Sequence, residues 1–133
     1  MKMTRSKVRE IIFLLLFRIE FNTQEELQEQ MQWYFDERPE IDGKDRIYIE
    51  TKLGSILKRL PDLDEQIHRI CEGWRLERLG KSELAILRLA VYEIVNDQNI
   101  PTGVAINEAV ELAKINCCEE APRFVNGVLA KLA

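Results

Sequence analysis

The segment SELAILRLAVYEIVND, residues 82–97, limits most tightly what this chain can fold into. It is apolar nearly all round, apart from Glu83, Arg88 and Glu93. A helix of that kind has to be covered on several sides, which marks it as the centre of a packed helical unit. An arginine within such a helix needs a carboxylate partner, so Arg88 is expected to be paired.

The other segments supply helices to pack around it. The first reads as a helix over about 4–21, with Arg5 and Arg9 one turn apart on a polar stripe. Thr23 and Glu26 form a T-x-x-E capping box, and Leu27, Met31, Tyr34 and Phe35 follow at helical spacing. RPEIDG, residues 38–43, breaks that second helix. A third carries Ile49, Leu53, Ile56, Leu57 and Leu60 on one face and stops at Pro61. Asp62 with Glu65 reads as a capping pair for a fourth, whose stripe is Leu63, Ile67, Ile70, Cys71 and Trp74. Pro101 introduces a sixth through VAINEAVELAK, and a seventh begins near Glu119 with Pro122 in its first turn. No segment reads as a confident strand; IYI, 47–49, is β-like but lies inside a helical pattern. The expectation is an all-α fold of about seven helices in a single domain over residues 1–133.

FVNGVL, 124–129, tests that expectation, because Asn-Gly between apolar residues is a strong hairpin signal. Pro122 and the nearby chain end leave no room for two strands, and an isolated hairpin is marginal. As a helix, the segment puts Ala121, Phe124, Val125, Val128, Leu129 and Leu132 on one face. Arg123, Asn126, Gly127 and Ala130 fall on the other. An interior glycine costs about 1 kcal/mol relative to alanine. Its use suggests that another backbone or a ligand approaches Gly127 closely.

Catalysis finds little support. The single histidine, His68, reads as a surface or boundary residue with no nucleophile near it. Three cysteines with no secretion signal read as reduced, cytosolic thiols. Cys117-Cys118 lacks the C-x-x-C spacing of a metal or redox site. No cofactor is implied. IIFLLLF, 11–17, follows basic residues as in a signal peptide, but it is too short to span a bilayer and no cleavage pattern follows.

Charge points elsewhere. The net charge of −4 hides a first nine residues carrying Lys2, Arg5, Lys7 and Arg9 without an acid, which leaves −8 on the remainder. An acidic body with a basic N-terminal arm suits a localised polyanion contact, and solvated cations remain the plain alternative. Phe17, two turns beyond Arg9, reads as core by its neighbours, with stacking on an unpaired base left open.

VAINEAVELAK (104–114) and RFVNGVLAK (123–131), with GKSELAILRLAVYEI (80–94) and Arg9-Glu10 in a basic helix start, strongly resemble the NusB family of bacterial antitermination factors. The resemblance covers nearly the whole chain. It implies two small helical bundles packed together, no enzyme activity, and a cytoplasmic factor away from membranes. It implies pairing with NusE, a small-subunit ribosomal protein, and binding of single-stranded boxA RNA in an antitermination complex on RNA polymerase that serves rRNA operons. Carried over by position, Arg5, Lys7 and Arg9 match the basic RNA-binding N-terminus. Phe17 stands where the family commonly has tyrosine, keeping the ring and losing the hydroxyl; Ser6 thins the arm. Glu120, Arg123 and Phe124 match the RNA-facing start of the last helix. Glu83 and Arg88 match the NusE-facing helix, with Leu84 where a lysine can occur. A homodimer covering the RNA surface stays open. The alternatives are a free-standing relative of the RNA-binding module of rRNA cytosine methyltransferases, and a helical adaptor that binds only protein.

Overall fold

The computed structural model describes residues 3–71 and 79–133. Among them every regular element is helical: α1 (Arg5–Arg18), α2 (Gln24–Asp36), α3 (Gly43–Lys58), α4 (Leu60–Ile70), α5 (Lys81–Asn96), α6 (Thr102–Asn116) and α7 (Ala121–Leu129). A 3-10 turn, Ala130–Leu132, follows α7. The chain divides into two compact units, Met1–Leu57 and Lys58–Ala133.

In the first unit, α1 is capped by Thr4, whose side chain accepts from the Lys7 N–H at 3.1 Å. It ends at Arg18, short of the expected residue 21, and buries Val8, Ile11, Ile12, Phe13, Leu15 and Leu16. The Thr23 box is formed in both directions. The Glu26 N–H donates to Thr23 Oγ1 at 3.2 Å, and the Thr23 N–H donates to Glu26 Oε1 at 3.0 Å. These bonds hold the Glu26 carboxyl below its ordinary value. On α3, Ile49, Leu53 and Ile56 are buried as expected, Leu57 is half-buried, and Leu60 belongs to the next helix.

The second unit is built on α5, which packs against α4, α6 and α7. Its residues Leu84 to Val91 are all buried, as is Glu93. Arg88, only 7 % exposed, has the expected partner: its Nε and Nη2 donate to the two carboxylate oxygens of Asp64 on α4, both at 2.8 Å. That fork fits a planar guanidinium to a planar carboxylate.

Two expectations need correction. Asp62 is no N-cap. The helix begins at Leu60 with Pro61 in its first turn, where proline's missing N–H is harmless, so Asp62 sits within the helix and the cap position falls to Arg59 without a side-chain bond. Gly127 has no close neighbour in this chain. FVNGVL is helical, and Arg123, Asn126, Gly127 and Ala130 are exposed, but a Cβ at Gly127 would meet nothing within 4 Å. Trp74 lies outside the described residues.

Urea denaturation checks both points and the Arg88 pair. Gly127→Ala should stabilise by up to about 1 kcal/mol, since only propensity changes; a destabilised variant would mean a neighbour does press there. Asp64→Ala should cost about 3 kcal/mol by removing a bidentate carboxylate from a buried guanidinium. Asp62→Ala should cost no more than a few tenths, about what a first-turn acid contributes through the helix dipole.

Candidate nucleic-acid and protein interfaces

The N-terminal arm is tied to α3. The Met3 N–H donates to Asp45 Oδ2 at 3.3 Å, and the Arg5 guanidinium lies 4.6 Å from the centre of the Tyr48 ring. Lys52 adds a second cation there, its Nζ 3.3 Å from the Tyr48 hydroxyl. Arg5 and Lys7 are exposed, and Lys7 makes an i,i+3 pair with Glu10 at 3.5 Å. Such an exposed pair is weak and yields readily to a polyanion. Arg9 differs: it is 6 % exposed and so does not share the open stripe of Arg5. Arg9, Ile12 and Leu16 fall on one side of the helix, where Ile12 and Leu16 are fully buried, whereas Arg5, one turn earlier on that side, stands at the exposed first residue of α1. Phe17 is half-buried between two other rings, 6.4 Å from Phe13 and 5.3 Å from Phe21.

The remaining predicted residues lie in the second unit. The first turns of α5 and α7 enclose a pocket of about 230 Å³ lined by Leu79, Glu83, Cys118, Glu120, Ala121 and Phe124, among others. Glu83, matched to a protein contact, therefore shares one pocket with Glu120 and Phe124, matched to RNA. The pocket surface is mainly apolar, and its two carboxylates favour a cation over a phosphate. Arg123 is exposed on α7. Leu84 and Arg88 are buried, Arg88 in its pair with Asp64, so they act on any surface by holding α5 in place.

The thiols are free: Cys71 is buried, Cys117 half-buried and Cys118 exposed. Burial first, then the charges of Glu83 and Cys118, push Cys117 up to about 11. Burial also raises Cys71, partly offset by Lys131. Among the described residues no group of His, Cys, Asp and Glu could hold a metal ion, and no helix is long and apolar enough to cross a membrane. His68 is exposed.

Helices of this order, with a basic helix start and an acidic apolar pocket, define a binding protein built on helical surfaces. The NusB family pattern matches residues 6–133, and the chain belongs to that family of transcription antitermination factors, which are not enzymes. It is 50% identical over 131 residues to the transcription antitermination protein NusB of Agathobacter rectalis, covering 98% of this chain and 100% of that one. Among solved structures it is similar to NusB of T. maritima, with a TM-score of 0.88, 33% identity, and coverage of 100% of this chain and 92% of that one. It is also similar to a chain in a crystal structure of antitermination factors NusB and NusE in complex with double-stranded RNA. There the TM-score is 0.81 and the identity 25%, over 98% of this chain and 97% of that one.

Alkylation of the folded protein near pH 8, read by peptide mass spectrometry, should label Cys118 first and leave Cys117 and Cys71 largely protected. Equal labelling of Cys117 would contradict its burial. The raised Cys117 thiol also has a sign for stability: the folded state holds the proton more tightly, so stability is full below the ordinary value of 9.0 and falls as pH rises toward 11. Cys117→Ser should flatten that fall.

Proposed function

We propose that this protein pairs with NusE and, as the pair, binds single-stranded boxA RNA to support antitermination by RNA polymerase on rRNA operons in the cytoplasm. The similarity to a chain solved in a complex of NusB and NusE with double-stranded RNA, over nearly the whole length of both chains, supports the NusE and RNA partnership in this reading; the single strand and boxA rest on the family resemblance and on the exposed cations of the arm. Residues 1–133 act in it as one RNA-binding domain. Arg5 and Lys7 meet phosphates, Phe17 offers a ring edge to a base, and Arg9 keeps α1 in position. Arg123 and Phe124 meet RNA from α7, with Glu120 lining the pocket. Glu83 faces NusE, while Leu84 and Arg88 hold α5 in register behind it. A homodimer would compete with RNA for the same surface.

Two variants separate the surfaces. Arg5→Ala with Lys7→Ala removes two phosphate contacts, so the slope of log affinity against log salt should become shallower by about 1.4 for a single strand. NusE affinity should not change. Glu83→Lys should weaken NusE binding by about tenfold or more, because reversing an interface charge penalises a partner complementary to the carboxylate. RNA titrations without NusE, beside binary NusE titrations, decide the matter. Loss of NusE in the arm variant, or loss of RNA in Glu83→Lys with NusE binding intact, would refute the assignment.

A further inference from the structure

Three phenylalanines climb one side of α1 from the core to the surface. Phe13 is 2 % exposed, Phe17 is half-buried, and Phe21, in the turn after the helix, is 59 % exposed. Phe13 and Phe17 are tilted at 42°, and Phe17 and Phe21 at 53°, so each ring supports the next. The outermost ring stands on an ordered turn. The Phe21 N–H donates to the Arg18 carbonyl at 3.0 Å, and Asn22 Nδ2 donates to the same oxygen at 2.8 Å. Gln30 Nε2 of α2 then donates to Asn22 Oδ1 at 2.8 Å. A large apolar ring held outward in this way forgoes burial without gaining freedom, which is the preparation that a stacking surface requires.

We propose that Phe21 is a base-stacking residue that extends the surface of Phe17. The end of α1 would then receive unpaired bases from the strand whose phosphates meet Arg5 and Lys7. This rests on the RNA reading given above. Lys7, Leu14, Phe17 and Phe21 recur at helical spacing on one face, and Lys7, Leu14 and Phe21 are exposed. Lys7 and Phe17 are separated by about 15 Å along the helix, a span of a few nucleotides. Cations at one end and an exposed aromatic ring at the other match a single strand, whose backbone is charged and whose base faces are free; a duplex hides those faces. Continuity with the cationic start of the same helix favours this occupant over a protein.

The test is a titration of the full chain, with NusE present, against single-stranded boxA RNA carrying 2-aminopurine at successive positions. Wild type should quench the fluorophore at one or two neighbouring positions. Phe21→Ala should abolish quenching at one of them and weaken binding by roughly 5- to 150-fold, the range for loss of one base stacked on an aromatic side chain. Its salt slope should match wild type, because no phosphate contact is lost. Phe21→Leu should behave like alanine although it keeps apolar bulk, and Phe21→Trp should restore quenching. Unchanged affinity in Phe21→Ala beside normal wild-type binding would overturn the stacking role alone. So would a Phe21→Ala defect confined to NusE affinity, which would mark a protein contact. Failure of wild type to bind RNA at all would overturn the RNA reading and this proposal with it.

Discussion

The second unit turns on a charge placed where charge is hardest to place. Arg88 sits in a helix buried on nearly every side, and the only way to keep a guanidinium there is to give it a carboxylate of matching shape. Asp64 provides it from α4 with both oxygens. Because the fork is bidentate, it fixes α4 against α5 in register as well as in distance. The other sides of α5 are covered by α6 and α7. The pocket edged by Glu83, Glu120 and Phe124 follows from that packing, since it lies where the first turns of α5 and α7 meet. Arg88 therefore matters to a surface it does not itself reach.

Two local surfaces, one in each unit, carry different charges. The exposed cations Arg5 and Lys7 stand on a helix start tied to α3 through Asp45 and Tyr48. The pocket of the second unit has a mainly apolar surface and the carboxylates of Glu83 and Glu120 in its lining. A phosphate backbone is attracted to the first, whereas the carboxylates of the second favour a cationic group of a protein partner, which leaves the ring of Phe124 and the exposed Arg123 as the parts of α7 suited to RNA. This division is the physical basis for treating RNA and protein binding as separable by mutation within one family member.

Much of this was legible in the sequence, and the failures have identifiable causes. Helical periodicity, the Thr23 box and Pro122 in a first turn placed the helices, because those signals act within a few residues. Arg88's need for a carboxylate was legible too, but not that Asp64 would meet it, since that depends on how two helices pack. Arg9 was misplaced by its charge: it lies on the side of Ile12 and Leu16, and spacing alone does not separate it from Arg5, one turn earlier at the exposed helix start. Asp62 was misread as a cap because a proline at the start of a helix resembles a proline at the end of one. Gly127's open face shows that a poor helix former needs no neighbour in its own chain. Phe21 was passed over although Phe13, Phe17 and Phe21 recur every four residues, because exposure cannot be read from a ring's identity.

We propose that this chain takes single-stranded RNA through a basic arm and does so best as a pair with a NusE-type protein. The most direct measurement is a titration of fluorescent boxA RNA with the purified chain, alone and with saturating NusE, repeated with the same RNA as a duplex. The account predicts measurable binding of the single strand by the chain alone, tighter binding when NusE is present, and weaker binding of the duplex under both conditions. Equal or preferential binding of the duplex, or no gain from NusE, would contradict it.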